Sequence, residues 1–134
     1  MVINLSCAIL TGASLFETVL LIVSANFPDR IEWSLQIEHR KMGHWWVIYA
    51  LGSLLCTCSE NVVWKALCVF SLGCLIHILC DFLTPYGIPG VDPEKRHSIQ
   101  LYTTGSITEN LLAIIVLITS VILNGKRWLI QIIA

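Results

Sequence analysis

The sequence predicts an all-α integral membrane bundle of about four transmembrane helices with a polar site at one membrane face. Three observations carry this. Of the 134 residues, 56% are hydrophobic and only 13% charged, where a globular domain has about 45–50% apolar and about 25% charged residues. Apolar runs recur at lengths near the ~20 residues that cross a bilayer core. Trp33, Trp45, Trp46, Trp64 and Trp128 all fall at or just outside the ends of those runs, the depth where an apolar ring with a polar N–H is most stable. The length allows one compact membrane-embedded unit, residues 1–134.

The first apolar run spans Val2 to Phe27, interrupted by Thr11, Gly12, Ser14, Glu17 and Thr18, and the spacing predicts its stop at Pro28. Its first charge is Glu17, so it has no basic region of a secretory signal and reads as an anchor or a half-buried helix. A second run, Trp45 to Cys58, covers only about 21 Å as a helix and needs Met42–His44 or Ser59 to span. The third run is Val62 to Leu83. The last is Leu111 to Leu123, beginning as early as Ile107. The six cysteines lie in or beside these runs and read as small apolar thiols rather than a disulfide framework. A formal net charge of −1 removes the basic stripe that nucleic-acid binding requires.

Crossings at the second and third runs put segments 26–43 and 81–109 on one face. All four histidines (His39, His44, His77 and His97) then lie on or just inside that face. So do seven of nine acids: Asp29, Glu32, Glu38, Asp81, Asp92, Glu94 and Glu109. The sharpest element is His77 and Asp81 at the end of an apolar helix. Spacing of i, i+4 sets imidazole and carboxylate on one face, where they either share a cation or bond each other. Ionisable groups in a span are costly and point to function. His39 and His44, five apart, do not share a helical face; Gly43 reads as a bend, and a histidine before the Trp45–Trp46 pair reads more readily as an interfacial residue than as a ligand. Arg40 offers either a lipid-headgroup contact or a phosphate clamp. Asp29 after Pro28 is also an ordinary turn. Ser98, Ser106 and Glu109 offer lids or outer ligands. Basic residues number five on this face (Arg30, Arg40, Lys41, Lys95, Arg96) and three on the other, which favours a cytoplasmic site.

The order Pro28-Asp29, then His39-Arg40-Lys41-Met42-Gly43-His44, then His77-x-x-x-Asp81-x-x-Thr84-Pro85-x-Gly87, then Gly105-Ser106-x-x-Glu109 resembles the YdjM-like family over about residues 26–110. Its members are described as inner-membrane-associated, metal-dependent hydrolases, akin to zinc phospholipase C and related single-strand nucleases. The resemblance implies a multi-pass protein of the bacterial inner membrane. It also implies Zn2+ or another divalent metal as cofactor, with Asp29, His44, His77 and Asp81 as ligands. His39 would be a further ligand or a partner behind one, and Arg40 would hold an anionic oxygen. The activity implied is cleavage of a phosphoester in a membrane lipid or lipid-linked substrate by a zinc-activated water. Asp29 or Glu32 would accept the water's proton. Two positions depart from the family. The opening residues 1–6 hold no histidine, and the family's P-D-x-D-H reads Pro28-Asp29-Arg30-Ile31-Glu32 here. One or two ions are easier to supply than three. The alternative is a catalytically degenerate membrane protein with a structural or interaction role; a purely ion-conducting bundle would want its polar residues at the midplane.

Overall fold

The computed structural model describes residues 2–36, 42–56 and 61–133. Among them are six helices: α1 (Val2–Thr11), α2 (Leu15–Ser24), α3 (Phe27–Leu35), α4 (Trp46–Cys56), α5 (Val62–Phe82) and α6 (Ile107–Ile133). A 3-10 turn (Met42–His44) precedes α4, and two short strands, β1 (Ile88–Pro89) and β2 (Arg96–His97), lie between α5 and α6. The strands pair antiparallel, Ile88 opposite His97.

Among the described residues two helices are long and apolar enough to cross a membrane, Val62–Phe82 and Ile107–Ile130. The expected first span is not one helix. Gly12 takes φ of 67°. Ala13 N–H reaches the Ala8 carbonyl at 3.0 Å and Gly12 N–H the Ile9 carbonyl at 3.4 Å, the paired bonds that close a helix on a left-handed glycine. Ser14 then opens α2 with a reciprocal cap: its hydroxyl accepts from Glu17 N–H, and the Glu17 carboxylate accepts from Ser14 N–H. Each ten-residue arm is about 15 Å long, half of a hydrocarbon core.

The arms run antiparallel. The Asn4 amide, near the start of α1, donates to Leu21 O at 2.7 Å near the end of α2 and to Gly73 O at 3.2 Å. The hairpin lies between the two long helices, α1 against α6 and α2 against α5, while α4 covers another side of α5. Pro28 does not stop a helix either. It sits in the first turn of α3, where its missing N–H has no partner to lose. The expected second span is short as observed: α4 ends at Cys56, and residues 57–60 lie outside the described residues.

The main core sits beneath the site. Tyr49, Cys74, Ile78 and Ile88 are buried there with Phe27, Trp46, Phe70 and Phe82 against them. Phe27 and Phe70 meet edge to face at 4.9 Å. A second cluster, Ala8, Ala13 and Leu21, holds the hairpin to α5.

Candidate metal centre

Three stretches distant in sequence converge at the end of α5. Asp29 comes from the first turn of α3, His44 from the 3-10 turn, and His77 and Asp81 from the last turns of α5. One ligand atom from each lies within 4.8 Å of all the others. His44 Nε2 is 3.2 Å from Asp29 Oδ1 and 3.2 Å from Asp81 Oδ2. His77 Nε2 is 3.6 Å from Asp29 Oδ2, 3.7 Å from Asp81 Oδ2 and 3.4 Å from His44 Nε2.

These separations test the fit to a cation. Nitrogen and oxygen ligands about 2.0–2.2 Å from a tetrahedral zinc ion lie about 3.3–3.6 Å from one another. The five contacts of 3.2–3.7 Å are of that size, Asp29 meeting His44 through Oδ1 and His77 through Oδ2, and one atom from each residue lies within 4.8 Å of the rest. Two imidazole Nε2 atoms facing each other at 3.4 Å share at most two protons between two carboxylates, and a cation satisfies all four atoms at once. The donor set, two histidines and two aspartates, suits zinc and other borderline divalent ions. The residues fit the metal.

Local sequence explains how each group arrives. Asp29 and Glu32, three apart on α3, share a helical face turned toward His44. Glu32 Oε2 is 3.0 Å from His44 Nδ1, and its side chain is only 1% exposed. A carboxylate behind a ligating imidazole fixes its tautomer and ring orientation. Gly43 permits this approach: a Cβ there would lie 2.5 Å from Glu32 Cγ and 2.8 Å from the Pro28 carbonyl oxygen. Its role is close packing on α3 rather than freedom to bend. The Tyr49 hydroxyl donates to Gly43 O at 2.9 Å and ties the turn to α4.

On α5, Thr84 Oγ1 donates to Asp81 O at 2.7 Å, closing the helix before Pro85. The loop beyond folds back on this end: Leu101 N–H reaches Leu83 O at 2.7 Å and the Tyr102 hydroxyl reaches Cys80 O at 3.1 Å.

The charges follow from the geometry. Burial opposes a charge on His44, but hydrogen bonds to Asp29, Asp81 and Glu32 outweigh it and push its pKa up to about 9. The same bonds from His44 and His77 hold the Asp29 carboxyl well below the usual carboxylate range. In the absence of a cation, His44 carries the positive charge that three carboxylates demand.

His44 is therefore no interfacial residue; it is completely buried. His97 pairs in β2 and lines a separate apolar cavity beside Trp46 and Ile78. Ser106 caps α6, its hydroxyl accepting from Glu109 N–H at 3.2 Å, and Glu109 Oε2 accepts from Gly105 N–H. His39 and Arg40 lie outside the described residues. The cluster opens on a cavity of about 310 Å³ lined by Asp29, His77, Cys80, Asp81 and by residues of α1 and α6. That mouth was not read from the sequence, because it depends on the hairpin returning Val2 and Ile3 to the site end.

Together these features define a helical protein with two helices long and apolar enough to cross a membrane and, at the end of one of them, a four-residue His/Asp group suited to a metal ion. The model of the YdjM inner membrane protein family matches residues 7–134; the chain belongs to that family. No curated protein and no solved structure matches it.

Proposed function

We propose that this protein is a membrane-embedded, metal-dependent hydrolase that cleaves a phosphoester in a lipid or other amphiphile. The observation that carries the reading is the convergence of Asp29, His44, His77 and Asp81, one ligand atom from each within 4.8 Å of the others, with Glu32 buried behind His44. Bound there, zinc would lower the pKa of water toward about 7 and so make hydroxide available at neutral pH. His44, His77 and Asp81 would hold the cation. Glu32 keeps the proton of His44 on Nδ1 and aims Nε2 at the site; it is a positioning residue in this reading. Asp29 is the most open of the four, with its side chain 44% exposed. It faces the mouth, where in this reading it takes the proton of the attacking water. Arg40 holds a phosphate oxygen and His39 stands as a further ligand, both on the strength of the family resemblance. The mouth has apolar walls from Val2, Ile3 and Ala113 beside polar ones, which suits an amphiphile.

One observation favours a second reading. Four protein donors are the complement of a closed structural zinc site, whereas a catalytic site keeps a position open. The alternative is therefore a catalytically silent member whose metal only holds α3, the 3-10 turn and α5 together. Asp29→Asn separates the two. As a hydrolase the variant retains about one zinc per chain and loses turnover on a phospholipid substrate. As a structural site it loses zinc and thermal stability together.

A further inference from the structure

The open end and the tip of the α1–α2 hairpin lie at different depths along the two long helices. At the open end, Val2, Ile3 and Asn4 share a cavity with His77 and Asp81 at the end of α5 and with Glu109 at the start of α6. α6 therefore begins beside the site, and its 27 residues carry the chain about 40 Å away from it. The tip does not reach that far. Gly12, Ala13 and Glu17 border a second cavity with Val69, Leu72 and Ile76, and Leu72 is the middle residue of α5. On α6, the Asn124 amide donates to Leu10 O at 2.7 Å, about 9 Å short of Ile130, where the stretch able to cross a membrane ends.

Hydrocarbon tolerates a chain reversal only where the freed backbone groups find partners inside the protein. This turn meets that condition. Gly12 and Ala13 N–H close back on α1. The Glu17 carboxylate accepts from Ser14 N–H at 2.7 Å and from the Ser14 hydroxyl at 2.8 Å. Leu10 O is supplied by Asn124 from the neighbouring helix. At the open end, the buried Asn4 directs its amide to Leu21 O and Gly73 O and ties both arms to α5. Two asparagines in apolar helices thus serve the hairpin, as polar side chains do between helices in a bilayer.

We propose that α1–α2 is a re-entrant hairpin. It enters the membrane from the face that holds the His/Asp group, turns back at Gly12–Ser14 inside the hydrocarbon, and leaves by the same face. The start of α1 and the end of α6 then lie on opposite faces of the membrane. A single span over residues 2–27 would put them on one face. The proposal stands on helix packing and on the family's place in the inner membrane, and it holds whether or not the site takes an ion.

The test is protease protection of the full chain carrying one epitope before Met1 and a different one after Ala134. Proteinase K is added to intact spheroplasts and, separately, to inverted membrane vesicles. Each preparation loses one epitope and keeps the other. The excess of basic residues on the site face predicts that spheroplasts lose the C-terminal epitope, with the site cytoplasmic. The reverse pattern supports the hairpin equally and places the site on the outer face. Two epitopes lost together in one preparation and kept together in the other overturn the proposal. Gly12→Leu with Ser14→Leu removes the left-handed glycine and the cap. Residues 2–24 then form one helix of about 34 Å, long enough to cross, and the N-terminal epitope moves to the face of the C-terminal one. Epitopes that stay on opposite faces in this variant remove the turn as the cause of the reversal and overturn the proposal with it.

Discussion

The last turns of α5 and the last turns of α6 are written in the same apolar alphabet and do opposite things. In α5, Gly73, Cys74, Ile78 and Asp81 are buried, because α2, α3 and α4 all pack around that helix. In α6, Ile122, Leu123, Leu129, Ile130 and Ile133 are each more than half exposed, in a helix read as spanning the bilayer. Length and oiliness make a span. Chemistry appears only where neighbours converge, since converging neighbours exclude water and bring ligands from other segments within reach of one ion.

The contrast is broken most severely at His44. His44→Ala removes a ligand and leaves Glu32 buried without the imidazole it faces. Loss of one partner from a buried charged pair costs about 3–5 kcal/mol, so the variant loses its metal and unfolds at a markedly lower temperature. Thermal unfolding with and without zinc measures it. Glu32→Gln is milder: the amide still accepts from Nδ1, but the loss of charge behind the ligand lowers zinc affinity about 10–100-fold, read by competition with a chelator. Gly43→Ala pushes the turn off α3, costing about 1–3 kcal/mol, with a matching fall in zinc affinity. At the other end of the comparison, Ile122→Ala on the exposed face of α6 changes stability by no more than about 0.5 kcal/mol and leaves metal content alone. A large loss there would mean that the face is covered by another protein rather than by lipid.

Acidity sharpens the same comparison. The folded-state pKa of His44 is raised from 6.5 to about 9, so in the metal-free protein its contribution is fully present below about pH 6.5. It is lost as pH rises through about 9. Asp29 is shifted the opposite way, and its contribution, present above the usual carboxylate range, is lost as pH falls below it. Metal-free protein is therefore most stable in mildly acidic solution. Zinc must displace the His44 proton, so zinc affinity climbs with pH up to about 9. Denaturation and zinc titrations between pH 5 and pH 9, run in parallel, check the two opposed trends; parallel trends would contradict them.

Much of the site was legible in the sequence, for a physical reason. His77 and Asp81 share a helical face by spacing alone, and polar residues this scarce betray a site when they gather at one end. His44 was harder. Its place in the His/Asp group depends on α3 and the turn closing together over Gly43, a long-range contact that no local pattern reports, so beside two tryptophans it reads as interfacial. The first span was misread for the opposite reason. Thr11-Gly12-Ala13-Ser14 followed by Glu17 holds both a helix stop and a capping box, local signals that outweigh the average hydropathy of the run. Ser106 and Glu109 carry the same spacing at α6 and form half of that cap, the Ser106 hydroxyl accepting from Glu109 N–H while the Glu109 carboxylate accepts from Gly105 N–H instead of Ser106 N–H.

The central claim is that the group formed by Asp29, His44, His77 and Asp81 is the site of one ion. Elemental analysis of the purified wild-type protein and of a His77→Ala/Asp81→Ala double variant tests it most directly. The account predicts about one divalent metal per chain in the wild type and almost none in the variant. Less than about a third of an ion per chain in the wild type after zinc loading, or equal content in both proteins, would contradict it.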